Sequence, residues 1–172
     1  MLLLILIALI AWSILVFIGI ERGLRRRLVV FRGWGDVSLT AALIAAALFW
    51  LVSLRQSPDT THAIPVTPLL LLAVWLLLTK TANPRWLDLG LSIPAKLTLV
   101  ALTLLTAGFA LSSAFAALSR KSDTRTRLAN AAIASGAAAA TWYLCRTIRQ
   151  LATKVPSVAA PAKYYGHKPT VL

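Results

Sequence analysis

Residues 1–20 read MLLLILIALIAWSILVFIGI and carry no charged side chain. A helix rises about 1.5 Å per residue and the hydrocarbon core of a bilayer is about 30 Å thick, so a crossing needs roughly 20 mainly apolar residues. This stretch meets that requirement with only Ser13 and Gly19 interrupting larger apolar groups. Working outward, four further charge-free intervals follow, at 37–54, 60–79, 97–119 and 128–145. The third is dense only from Pro65 onward, and proline is tolerated at such a helix start, where amide hydrogens lack internal partners. The fifth is the least apolar, with eight alanines beside Asn130, Ser135, Gly136 and Thr141.

Composition agrees with this reading. Of the 172 residues, 59% are hydrophobic and 13% charged, where a soluble domain normally has about 25% charged. A mean hydropathy of +0.79 also excludes a disordered chain, which requires low hydrophobicity. The expectation is an all-α, polytopic transmembrane helical bundle of five spans.

Charge placement orients the bundle, because cytoplasmic loops retain Lys and Arg. With the N-terminus outside and the C-terminus inside, 13 of the 18 Lys and Arg fall on the inner side. Four-span alternatives divide the cations almost evenly. The first segment lacks the positive start of a cleaved signal and is followed by Arg25, Arg26 and Arg27, the flank order of an uncleaved anchor. Residues 1–154 are expected to form the bundle, with short basic cytoplasmic loops, and 155–172 a flexible basic C-terminal tail. The connections at 21–36, 55–64, 80–96 and 120–127 are too short to enclose cores of their own.

Three groups of residues stand out. Ala132, Gly136 and Ala140 on the fifth segment are four apart, a small-residue ridge that lets another backbone approach; Asn130 can hydrogen-bond beside it. This group is expected to pack against a neighbouring helix, within this bundle or in another membrane-protein subunit or second copy of the chain. Thr103, Thr106 and Ser113 on the fourth segment, with Ala110 between them, form a polar seam. Helix–helix contact explains such a seam more economically than a pore lining. Arg25, Arg26, Arg27, Arg146 and Arg149 gather at the inner ends and are expected to meet anionic lipid headgroups. No folded reader or long basic arm accompanies them, so nucleic acid is not an expected partner. Trp34, Trp50 and Trp86 read as interfacial anchors, Glu21 and Arg25 as an i,i+4 ion pair, and Asp36 as a cap for the second helix.

Catalytic motifs are missing. There is one cysteine, Cys145, and the two histidines, His62 and His167, are assigned to opposite sides. Metal sites need three or four converging ligands, and Asp59 with His62 offers two. No expected span carries an ionisable residue in its interior, which argues against a proton-driven exchanger. The sequence therefore leads to no catalytic, cofactor-binding or metal-binding residue. It leads instead to a non-enzymatic accessory, scaffold or assembly subunit of a larger membrane complex. The alternative is a self-associating pore or passive small-solute carrier, including a holin-like one. Alanine and arginine usage points to a bacterial inner (cytoplasmic) membrane as the location.

Overall fold

The computed structural model describes residues 2–25, 30–56, 66–83, 85–119 and 123–153. They form five α-helices and, among the described residues, no strand. These are α1 (Leu2–Arg25), α2 (Trp34–Gln56), α3 (Val66–Ala82), α4 (Trp86–Leu118) and α5 (Thr124–Thr153). Three are long and apolar enough to cross a membrane: α1 over Leu3–Arg25, α2 over Trp34–Ser53, and the whole of α4. The apolar run of α3, Pro68–Thr81, is shorter. At 30 residues α5 is long enough but too polar and alanine-rich to meet the same criterion.

Three helices begin earlier than the charge-free intervals suggest, α5 among them at Thr124, four residues before Leu128. Asp36 does not precede α2 but sits in its first turn, two residues after Trp34. Its carboxylate reaches back to accept a hydrogen bond from the Arg32 amide at 3.1 Å, as an acidic residue in the first turn of a helix commonly does. The start of α4 lies eleven residues before Leu97, so the stretch expected to be a loop is largely helical. The helix passes through Pro94, whose ring removes one amide donor without ending it. At 33 residues it is about 50 Å long.

The hub of the bundle is α4, which packs against the other four helices. Its partner α1 runs antiparallel to it. Near one level the Trp12 indole N–H donates to Thr98 Oγ1 at 2.8 Å; further along, Gly19 lies against Leu91 and Ala95. A Cβ on Gly19 would stand 2.3 Å from the Leu91 carbonyl oxygen, so only glycine permits this approach of the two backbones. Antiparallel α5 covers another side of α4, with Thr141 beside Thr106 and the Arg127 guanidinium donating to the Ala117 carbonyl at 3.1 Å. On a third side α2 and α3 pack against each other and against α4. Consecutive helices thus alternate in direction.

The apolar core lies at one end. Val30 and Phe31, from the segment between α1 and α2, are buried with Ala95, Leu99 and Val100 of α4 and Ile148, Leu151 and Ala152 of α5. Ile20, Leu24, Val37, Ala41, Ile44 and Leu144 pack against this cluster. The C-terminal ends of α1, α3 and α5 meet the N-terminal ends of α2 and α4 here. Arg22, Arg25, Lys80, Arg85, Arg146 and Arg149 all occur within this region, so it is called the basic end. Toward the opposite end the helices have fewer neighbours, and residues 3–15 of α1 are all exposed.

Candidate functional site: a buried aspartate–lysine cluster

Beside the core, the basic end holds a group of buried polar side chains. Lys96 of α4 donates from Nζ to Asp36 Oδ2 of α2, and both side chains are excluded from solvent. Unpaired charges in such a place are costly, since each must leave water. The remaining valences of the ammonium are also engaged. Thr79 Oγ1 of α3 accepts from Nζ at 3.1 Å, and the Phe31 ring lies 5.7 Å away, within cation–π range.

The cluster extends through neutral groups. Thr79 donates its hydroxyl to the Trp75 carbonyl at 2.8 Å. The Trp75 indole N–H donates to Thr40 Oγ1 at 2.8 Å, and Thr40 donates to the Asp36 carbonyl at 2.7 Å. Trp75 is 2% exposed and Thr40 wholly buried, so this chain ties α3 to α2 one turn away from the ion pair. On the other side Asn83 donates through Nδ2 to Ser92 Oγ at 3.2 Å, and Ser92 donates to the Val30 carbonyl at 3.4 Å. Two buried acceptors, Asp36 Oδ1 and Asn83 Oδ1, have no hydrogen-bond partner among the described residues.

Helical phase explains why these residues meet. Leu91, Ser92, Ala95, Lys96, Leu99 and Val100 form one buried face of α4, with the i, i+4, i+8 recurrence of a helix stripe. Lys96 occupies a core position on that stripe. Asp36 and Thr40 are one turn apart on α2, as are Trp75 and Thr79 on α3, so each helix presents a stacked pair to the cluster. A carboxylate, an ammonium and satisfied hydroxyls in a dry setting can hold three helix ends in one register.

The expected site residues fall elsewhere. Ala132, Gly136 and Ala140 are exposed, and a Cβ added at Gly136 would meet nothing within 4 Å. The α5 face nearest α4 is instead the series Asn130, Ala134, Ala137, Thr141, Leu144, Ile148 and Leu151, spaced alternately by four and three. Only Asn130 of the expected group is partly buried. The polar seam of α4 meets this face of α5. Thr141 donates to Thr106 Oγ1 at 2.9 Å, Thr103 to the Leu99 carbonyl at 2.7 Å, and Ser113 is buried.

Among the basic residues, Arg25 pairs with Glu21 at 3.2 Å, as their spacing suggests, and Arg22 stands 3.8 Å from Asp88. The Arg146 guanidinium lies 5.6 Å from the Trp142 ring centroid, and Arg149 is exposed on the next turn. Arg26, Arg27, Asp59, His62 and the segment 154–172 lie outside the described residues. Among the described residues no group of three or more His, Cys, Asp or Glu is placed to share a metal ion.

Asp36 and Lys96 each flank a charge-free interval, which makes them resemble boundaries of spans and hides the aspartate–lysine cluster in the sequence. The discriminating signal was the apolar period running through Leu91, Ala95 and Leu99 on both sides of Lys96. Comparison with protein-family models, curated proteins and solved structures finds no match.

Proposed function

We propose that this chain is a non-enzymatic, multi-pass membrane protein that serves as an accessory, scaffold or assembly subunit of a larger membrane complex. The observation that carries this reading is the state of α5. It is 30 residues long, less apolar than the three long candidate spans, and covered within the chain chiefly along the side facing α4. Its other faces, including the small side chains of Ala132, Gly136 and Ala140, remain open. In a membrane such a helix is stabilised when a neighbouring helix packs closely on the small residues. A subunit of a larger assembly, or a second copy of this chain, would supply that neighbour.

The buried cluster fits the same role. Asp36 and Lys96 neutralise each other and fix the ends of α2, α3 and α4, giving a rigid platform at the basic end. In the proposed orientation that end faces the cytoplasm of a bacterial cell. The pore alternative draws less support, because Thr103, Thr106 and Thr141 already hydrogen-bond to helix carbonyls or to one another.

Native mass measurement after extraction in mild detergent tests the proposal. A stoichiometric assembly with other subunits, or a defined homo-oligomer, is expected. Monomer alone, under conditions that keep other membrane complexes intact, would overturn it. Reporter fusions at residues 60, 90, 123 and 172 check the orientation, with the fusions at 90 and 172 expected on the cytoplasmic side.

A further inference from the structure

We propose that the cavity between the start of α2 and the C-terminal third of α5 binds the phosphate headgroup of an anionic membrane lipid. The inference rests on the membrane-embedded reading above and adds to it a defined site built from two helices. The cavity measures about 530 Å³ and is lined by Trp34 of α2 with Trp142, Cys145, Arg146 and Arg149 of α5. Its size falls within the roughly 300–1,000 Å³ typical of small-molecule sites.

Three features point to the ligand class. The two guanidinium groups are three residues apart on α5, hence on one face, and a guanidinium fork matches phosphate oxygens bidentately. The two indoles are largely exposed, at 57% for Trp34 and 64% for Trp142, at the end of the bundle where the cations collect. Exposed indoles flanking cations are the arrangement expected at the headgroup level of a bilayer. Basic pockets between helices on the cytoplasmic side are the usual setting for anionic headgroups.

The third feature is a contrast with the other basic cavity at the same end. That one, of about 320 Å³, is lined by Ile18, Glu21, Arg22 and Arg25. There Glu21 lines the cavity and pairs with Arg25, while Asp88 lies beside Arg22. The described lining of the Trp34 cavity contains two arginines and no carboxylate. At the Glu21 cavity, by contrast, an incoming phosphate meets a carboxylate in the wall.

The chain supplies its own reporter. Cys145 is its one cysteine, is exposed, and lines the proposed site. The full chain, purified in nonionic detergent, is labelled with a water-soluble maleimide while phosphatidylglycerol or phosphatidylcholine is titrated into the micelles. Phosphatidylglycerol is expected to slow labelling, and phosphatidylcholine to leave it nearly unchanged. Arg146→Gln with Arg149→Gln should raise the phosphatidylglycerol needed for half-protection by about tenfold or more. Trp34→Ala, which removes the α2 wall without touching the cations, should weaken protection less. Arg22→Gln with Arg25→Gln should leave it as in the unmodified chain.

Equal slowing by both lipids, no slowing, or undiminished protection in the Arg146/Arg149 variant would overturn the proposal. Protection by inorganic phosphate at the same concentration would overturn the lipid as its source. Alkaline carbonate washing of membranes separates this result from failure of the wider reading. A chain that stays with the membrane while Cys145 is unprotected removes only the headgroup site; a chain that leaves with the buffer removes the membrane assignment itself.

Discussion

The two ends of this bundle are built on different principles. At the basic end the segment holding Val30 and Phe31 and the ends of several helices converge on one core, with a charged pair and four further buried polar side chains, Thr40, Thr79, Asn83 and Ser92, beside it. Toward the other end, contacts are largely pairwise. There α4 and α5 meet through threonine, alanine and serine, and α1 exposes Leu3, Leu4, Ile5 and their successors. One end is specified by the chain itself, with polar groups that accept only one arrangement. The other leaves its apolar and small-residue surfaces to be satisfied by whatever surrounds it.

This contrast can be broken most directly at Lys96. Lys96→Met leaves the Asp36 carboxylate buried without its partner, a change that typically costs about 3–5 kcal/mol. It should give the largest fall in unfolding midpoint, measured by denaturant titration in detergent. Adding Asp36→Leu removes the stranded charge, and most of the stability should return. A double variant no more stable than Lys96→Met would show that the pair contributes more than mutual neutralisation.

The next effect is expected at Gly19. Gly19→Val places side-chain atoms against the Leu91 carbonyl and Ala95, so α1 must shift away from α4; overpacking of this kind costs about 1–3 kcal/mol. A paired-cysteine crosslink between α1 and α4, in the variant with Cys145 replaced, should lose efficiency in parallel. A smaller change follows Thr141→Val, which removes the hydrogen bond to Thr106. Interhelical bonds in membranes average about 0.6 kcal/mol, so the midpoint should move only slightly. The smallest effect on the isolated chain is expected for Gly136→Val, because that position faces open space. If the proposed assembly forms through this face, the same substitution should reduce its recovery in native mass measurement. Unchanged recovery would remove the Ala132, Gly136 and Ala140 face from the proposed interface.

The sequence made the helical elements readable because the long apolar intervals leave few alternatives to a helix. It also made the Glu21–Arg25 pair readable, since both residues lie on one helix and spacing alone brings them together. The aspartate–lysine cluster was hidden for the opposite reason. Its members come from three helices, and Asp36 and Lys96 are separated by 60 positions. Asp88, Lys96 and Pro94 made 80–96 resemble a connection, whereas tertiary packing carries the helix through it. Spacing sets Ala132, Gly136 and Ala140 in one row, but spacing alone does not tell which of several small-residue faces of α5 turns toward α4.

Burial of the Asp36–Lys96 pair also imposes an order on biogenesis. During synthesis Asp36 emerges well before Lys96. At about 5–20 residues per second, that delay is on the order of 3–12 s. Throughout it the carboxylate must remain hydrated near the membrane surface, protonated, or held by another protein. Final seating of the second helix is thus a late step, completed when the fourth arrives. Cells lacking the relevant insertion machinery should accumulate a form with α2 still exposed to protease at its N-terminal end.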